Sequence, residues 1–436
     1  MPDRVVKKMI EWTNKGNPSA DYKSAKDCRE LMDNFRKSMA SKCGFTTCSR
    51  DDKVDEFQYH IIFTSCASES NNMFLRAVVD SVNSATFAKH SATFASQKPH
   101  LITSSIEHKS LLNCAVQLAK RGCIELSLVR PDMLGFIHAE DVEAAIRPNT
   151  ILISIMQANN ETGAINDIAA ISRIAKSNNI LFHTDCVQSF SKFLMNPIKL
   201  GVDAFSVSFH KMHGPAGVGA IIINKQIADE YKLEAEICGT QNNGMRGGTE
   251  NIPGIAAAYE GFLITAENRA AKNVRTLELK KYMIQTLNKQ IPCRTYREYL
   301  GSLKDGSNIP RTEIILLSTC EKNYLPGTLL IGVLSGRDGS NTNSASARTT
   351  VRANKYRDVC NGKIKSGLEK KGIIISIGSA CNTANSKASH VITEMGVPEQ
   401  IRKGTLRISL GDLNDKCDVE CFVKEFCDVL RSLNYM

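Results

Sequence analysis

The chain has 436 residues, 42% of them hydrophobic and 23% charged, with a net charge of +10 and 15 cysteines. That length supports two domains with separate cores, and no apolar run approaches the roughly 20 residues of a membrane helix. The opening "MPDRVVKKMIEW" lacks the apolar core of an export signal, so the expected setting is soluble, reducing and cytoplasmic, with no disulfide framework among the cysteines.

From about residue 57 strand-like and helix-like segments alternate. "YHIIFT" is a short apolar run, followed by a stretch with helical spacing from Glu69 to about Val82. "HLITSS" leads into "HKSLLNCAVQLAKRG", whose apolar positions share one helical face before a glycine stop. "CIELSLV", "TILISIM", "ILFHTD", "VDAFSVSFH" and "GVGAIIIN" are further strand candidates, with "NDIAAISRIAKSNN" as a helix among them. Near-continuous apolar strands separated by helices predict an α/β fold with a mostly parallel, seven-stranded sheet covered on both faces.

After about Thr249 the texture changes. "NIPGIAAAYEGFLITAENRAAKNVRTLELKKYMIQTLNKQI" reads as long helix. "EIILLST", "PGTLLIGVLS", "GIIISIGS" and "TLRISLG" read as strands, closed by the amphipathic helix "VECFVKEFCDVLRSL". The expected organisation is a large α/β domain over residues 17–265 and a smaller α+β domain formed by 1–16 and 266–436. Within the latter, about 336–371 carries nine Lys or Arg against three Asp or Glu, which is +6 of the net charge. That segment is rich in Ser, Asn, Thr and Gly and almost lacks aromatics. It reads as a flexible basic insertion and not as a nucleic-acid reader, and no membrane or nucleic-acid partner is expected.

Ligands of parallel sheets bind at the carboxyl ends of the strands. Five polar clusters fall there: "FTSCASESNN", "SSIEHK", "MQANNETG", "FHTDCVQS" and "SFHKMHGP". The last poses a question, because an apolar strand finishes on His210 and Lys211, and a lysine is costly to bury without a partner. A pyridoxal 5'-phosphate site would answer it. That cofactor needs a lysine amine for its aldehyde, an acid against its pyridine nitrogen, hydroxyls and backbone N–H groups for its phosphate, and a ring stacked on it. Lys211, Asp185, the Ser65–Ser68 turn, Ser208, His210 and His108 supply all of these. Each has a plainer reading in isolation: His108 as a helix-start residue, Asp185 as a strand-end turn, Asn160 and Gln188 as surface polars, Arg407 as a solvated strand residue. Their joint placement is the signal. No CxxC pair has zinc spacing, and no metal is expected.

At these residues the chain resembles cysteine desulfurases of the class V aminotransferase family, which are fold-type I pyridoxal phosphate enzymes. The resemblance runs from "GNPSADYKSAKDCRELMDNFRKSMA" to "TLRISLGDL", apart from the insertion. "FTSCASESNN", "TSSIEHKSLL", "ANNETGAINDI", "FHTDCVQS", "SFHKMHGPAGVGA", "GMRGGTENIPGIAAA" and "GSACNTAN" carry it in this order. It implies that Lys211 forms the Schiff base, that Asp185 partners the pyridine nitrogen, that Gln188 bonds the phenolate oxygen, and that His108 stacks on the ring and moves protons. Ala67, Ser68, Ser208 and His210 match the phosphate site, and Thr249 matches a residue that reaches the phosphate of a neighbouring subunit, which implies a homodimer. Asn160, also a cofactor contact, and Arg407 match the holders of the substrate carboxylate, with Asn17 beside it. Cys381, in "IGSACNTA", stands at the persulfide position. L-cysteine as substrate, L-alanine as product, and a sulfur-acceptor protein follow from the resemblance.

Three departures bear on activity. The family pattern opens with a short strand and a "DNxATT"-like segment, whereas "VVKKMIEWTNKGNPSA" enters almost at the following helix, so part of the cofactor surroundings is expected to be missing or rebuilt. Cys66 and Cys238 replace family glycines, and a side chain at Cys66 is expected to crowd the phosphate turn. Two alternatives stay open from sequence: a family member with weakened chemistry that serves as a binding or scaffold protein, and a selenocysteine lyase-like enzyme.

Overall fold

The computed structural model describes residues 1–47, 56–84, 97–193, 195–305, 312–336, 356–377 and 389–436. Two compact units emerge: Met1–Arg130, Ile137–Ala158 and Asn166–Arg269 form the first, and Pro131–Phe136, Asn159–Ile165 and Ala270–Met436 form the second.

The first unit is built on seven strands: β1 (Tyr59–Thr64), β2 (His100–Ser104), β3 (Glu125–Val129), β4 (Thr150–Ser154), β5 (Leu181–Asp185), β6 (Ala204–Ser208) and β7 (Gly219–Asn224). Their spatial order is β1-β7-β6-β5-β4-β2-β3. All pairings are parallel except the two made by β7. β2, β4, β5 and β6 are buried at every position, which is why they read as unbroken apolar runs, while the edge strand β3 is largely open.

Its longer helices are α1 (Asp3–Trp12), α2 (Lys23–Cys43), α3 (Ala67–Asn83), α4 (Lys109–Lys120), α5 (Ile168–Ser177) and α6 (Ile252–Ala266). α3 and α4 bury Phe74, Val78, Leu111 and Leu118 with Ile62, Leu101, Leu152 and Ile221 of the sheet. Phe35 of α2 meets Phe63, Phe209, Tyr259 and Phe262 in an aromatic cluster. Residues 1–16, assigned from sequence to the smaller domain, belong to this unit instead. α1 packs along α6, and Arg4 pairs with Glu260 at 2.7 Å.

The second unit has helices α7 (Arg269–Gln290), α8 (Asn361–Glu369) and α9 (Lys416–Ser432). Its five strands are β8 (Cys293–Thr295), β9 (Thr312–Leu316), β10 (Thr328–Gly336), β11 (Tyr356–Arg357) and β12 (Thr405–Ser409), ordered β8-β9-β10-β11 with β12 also on β10. Met283, Leu287, Ile364, Leu368, Phe422 and Phe426 join strand residues Ile314, Ile331 and Leu406 in one core, so the part of the expected flexible insertion from Tyr356 on is ordered, its apolar Ile364 and Leu368 anchoring α8. The single long helix expected after Thr249 is two helices. The chain breaks between α6 and α7, where Glu267 is extended and Asn268 takes a left-handed φ of 51°. Asparagine tolerates that conformation, and helical spacing on either side of it conceals the break. Among the described residues no helix is long and apolar enough to cross a membrane.

Two histidines lie inside the large sheet. His100 bridges Thr150 Oγ1 and Ser127 Oγ, both at 2.8 Å, and His183 bridges Ser154 Oγ at 2.8 Å and Ser206 Oγ at 3.0 Å. Burial pushes His100 down to about 4 and His183 down to about 3 from an ordinary 6.5. The unfolded chain takes up these protons near pH 6.5 and the folded chain only near 4 and 3, so stability falls as pH drops through that window. Asp203, pushed up to about 6 by burial, acts in the opposite sense, so a variant must be compared with the wild type. His100→Gln keeps a donor and an acceptor for the two hydroxyls but cannot titrate. Its urea midpoint should lie below the wild type at neutral pH, and the gap should narrow as pH is lowered towards 4.5. A constant gap would contradict this account.

Candidate active site

The site starts from strand register. Thr64 of β1, Gly219 of β7 and Ser208 of β6 lie in one row across the sheet. β1 ends there, and Cys66 leads the chain into α3, whose N-terminus has no side-chain cap. The first N–H groups of a helix have no partner within it, so the Ala67–Ser68 turn offers donors and the positive end of the helix dipole. A Cβ on Gly219 would stand 2.6 Å from the Cys66 carbonyl carbon and 2.9 Å from the Ala67 nitrogen, so glycine is what lets β7 pass against the helix start. Glu69 secures the same turn, accepting from the Ser65 N–H at 2.7 Å and from Arg246 Nε at 2.8 Å. Ser208 Oγ lies 2.9 Å from His210 Nδ1. Burial, reinforced by the neighbouring Lys211, lowers the His210 pKa and favours the neutral ring. An uncapped helix start beside a hydroxyl and an imidazole is a corner for an anion. Cys66 does not strain the corner through its backbone: its φ of −174° is extended, a conformation open to any residue.

After β6 the backbone makes one tight turn, Phe209–Lys211. Phe209 is buried and its carbonyl accepts from the N–H groups of Met212 at 2.8 Å and Gly214 at 3.0 Å. The turn carries Lys211 to the surface, where it is exposed, so the strand does not bury a cation. α6 backs the turn closely, since a Cβ on Gly261 would lie 2.6 Å from both the Gly214 nitrogen and the Met212 carbonyl oxygen.

Asp185 ends β5 and is buried. Its Oδ1 accepts from the Val187 N–H at 2.9 Å and its Oδ2 from Asn71 Nδ2 at 2.8 Å. Burial pushes its carboxyl up, opposed by these two hydrogen bonds and by the nearby His108 ring. His108 caps α4 and is half-buried, with Nδ1 accepting from the Ser110 N–H at 3.2 Å. Gln188 is half-buried in the turn that follows Asp185. Next to His108, the buried Glu107 accepts on Oε1 from Ser104 Oγ at 2.6 Å and from the Met156 N–H at 2.9 Å. Burial pushes its carboxyl up to about 8, so the acid is largely neutral at pH 7.

Other expected site residues have different surroundings. Asn17 spends its Oδ1 on the Ser19 N–H at 2.9 Å, and Thr249 is exposed in the loop before α6. Asn160 and Arg407 lie in the second unit, where Arg407 Nη1 donates to the Asn160 backbone carbonyl at 2.7 Å. Burial lowers the Arg407 pKa, and Glu161 opposes that shift. Cys381 lies outside the described residues. Sequence reasoning passed over Asn71 and Glu107, although each adjoins a quoted motif residue in "SESNN" and "SSIEHK".

The sequence profile of the aminotransferase class-V family matches residues 1–303. The chain belongs to that family. A cysteine desulfurase IscS from Dictyoglomus turgidum is 32% identical over 425 residues, spanning 96% of this class-V chain and 89% of the relative. One from Methanosarcina thermophila is 31% identical and spans 99% and 90%. Among solved structures, a NifS-like protein superposes with a TM-score of 0.74 at 27% identity, covering 99% of this chain and 96% of its own. The structure of SspA in complex with cysteine gives 0.66 at 27%, covering 95% and 97%. The class-V fold, with its mostly parallel large sheet, is therefore the one expected from sequence.

Class-V enzymes of this kind depend on pyridoxal phosphate, and the residues present fit that group. The uncapped start of α3 and the row held open at Gly219 suit a phosphate. A buried carboxylate held by two donors suits a protonated pyridine nitrogen. Gly219→Ala would press the new methyl onto the α3 start, an overpacking that costs about 1–3 kcal/mol. Cofactor affinity should fall about tenfold or more, read by titrating pyridoxal phosphate into the variant, while far-UV circular dichroism keeps its wild-type shape. Unchanged affinity would remove the α3 start from the phosphate site.

Proposed function

We propose that this chain is a pyridoxal 5'-phosphate-dependent cysteine desulfurase. It takes L-cysteine, releases L-alanine, and holds the sulfur as a persulfide on Cys381 for an acceptor protein. The observation that carries this reading is the row Thr64–Gly219–Ser208, which sets the uncapped α3 start beside the Ser208–His210 pair and the Lys211 turn. The names of the relatives, and the cysteine in complex with one structural neighbour, support the choice of substrate.

When bound, the cofactor supplies an electrophilic aldehyde and a ring that withdraws electrons from the substrate carbon. Lys211, at the exposed end of its turn, would offer Nζ to the aldehyde and a base for the substrate Cα proton. Asp185 would hold the pyridine nitrogen with its carboxylate, and the donors from Asn71 and Val187 offset the cost of burying that charge. Ser68, Ser208, His210 and the Ala67–Ser68 N–H groups hold the phosphate, with Thr249 contributed from the second copy of a homodimer. Gln188 would donate to the cofactor's phenolate oxygen, and His108 would supply a ring to hold it. Arg407, Asn160 and Asn17 orient the substrate carboxylate. The Cys381 thiolate then attacks the substrate sulfur. An S–S bond forms on Cys381 and the substrate C–S bond breaks. The carbon keeps the electron pair and takes up a proton to become the alanine methyl group.

Visible absorption of the purified protein, before and after L-cysteine, tests the first part. A cofactor band that shifts with L-cysteine in the wild type should be absent from Lys211→Ala. Cys381→Ala should keep the band and its shift but lose sulfide release by several orders of magnitude, as removal of a nucleophile does. No band after incubation with pyridoxal phosphate would favour the scaffold reading.

A further inference from the structure

We infer that Asn71 and Ser110 form a positioning relay that joins the Asp185 carboxylate to the His108 ring and fixes which ring nitrogen carries the proton. The inference rests on the reading of the site given under the proposed function.

Asn71 is fully buried on α3. Its Nδ2 lies 2.8 Å from Asp185 Oδ2 and 3.2 Å from Ser110 Oγ, and Ser110 Oγ lies 2.8 Å from His108 Nδ1. The neighbouring Asn72 donates to the Ser110 carbonyl at 3.0 Å and the Ser68 carbonyl at 2.8 Å, so the same helix turn clasps the start of α4 by side chain and backbone.

Hydrogen-bond directions in this chain follow from elementary inventory. The Ser110 backbone N–H points at His108 Nδ1 from 3.2 Å and can only donate, so Nδ1 is an acceptor and bears no proton. The Ser110 hydroxyl shares that nitrogen, so it donates as well, and its lone pairs are left to accept from Asn71. Asn71 Nδ2 has two hydrogens and two acceptors, Ser110 Oγ and Asp185 Oδ2. Its own Oδ1 is buried with no hydrogen-bond partner among the described residues. A buried acceptor left unsatisfied is a cost, and the reverse orientation of the amide has a worse one: Oδ1 would face the Asp185 carboxylate oxygen at 2.8 Å. Asp185 Oδ2, and the Ser110 oxygen whose proton goes to Nδ1, both call for a donor at this position, and together they select the amide orientation. The amide orients the hydroxyl, and the hydroxyl holds the ring in its Nε2–H form. Nε2 is then the ring nitrogen through which His108 exchanges protons with whatever lies over it.

The test reads the tautomer directly in cofactor-free protein. Long-range proton–nitrogen correlation spectra of 15N-histidine-labelled protein, with His108→Gln to assign the signal, should show His108 in the Nε2–H form. Ser110→Ala and Asn71→Ala should each raise the Nδ1–H fraction about fivefold, the worth of one ordinary hydrogen bond. Ser110→Thr should restore the wild-type pattern, which a merely structural role would not require. If Asn71→Ala does not fold, Ser110→Ala and Ser110→Thr carry the test alone. A wild-type Nδ1–H form, or variants with the wild-type spectrum, would overturn the relay. The two readings fail separately. A shifted tautomer in a protein that never binds pyridoxal phosphate would sink the proposed function and leave the relay standing. A cofactor band with an unmoved tautomer would sink the relay alone.

Discussion

The close approach of the α3 start to β7 at Gly219 is the constraint on which the first unit's chemistry depends. Every other site element of that unit is measured from that contact. It brings the end of β1 level with the end of β6, so a helix start from one strand and a hydroxyl from the other share a corner. It also sets the rotation of α3, which turns Asn71 towards β5 and Phe74 onto the His183 ring at a centroid distance of 5.2 Å. A helix held at one end by backbone contact and along its length by a polar and an aromatic grip has little freedom to slide.

Beneath the corner, Ser154, His183 and Ser206 run as a hydrogen-bonded rung across β4, β5 and β6. His183 and Asp185 are two apart on β5, and Ser206 and Ser208 two apart on β6, so in each strand the second residue repeats the facing of the first. The rung therefore aligns the residues that serve the site one step further along. A neutral buried imidazole suits this task, because it joins two hydroxyls without adding a charge.

Most of the sheet was legible in the sequence. All seven large-sheet strands fall inside the runs proposed for them, and the central four, buried on both faces, leave an unbroken apolar trace. Asp185 and Ser208 stood out because they end such runs, Lys211 because it follows one within a turn, and His108 because it opens the helical pattern of α4. What stayed hidden arises from packing between distant segments. The break at Asn268 depends on one left-handed residue inside an otherwise helical pattern. The placement of α1 depends on its partner α6, some 240 residues away. Asn71 reads as one more polar residue of a helix until Asp185, over a hundred positions later, comes to meet it. The exposure of Lys211 is the plain reading of a strand that stops there and lets its lysine reach water, although a strand pattern does not tell how sharply the next turn leaves the sheet.

α6 is also a shared wall. One end of its contacts is the backbone of the lysine turn, reached at Gly261, and another is α1, reached at Glu260. Two adjacent residues of a single helix thus look towards the lysine turn and towards the first helix of the chain. Residues 3–12 are part of the foundation on which that turn rests. For anyone handling the protein, an affinity tag fused ahead of Asp3 is consequently not a neutral choice, since a load that lifts α1 is felt one residue away from the glycine that seats the turn.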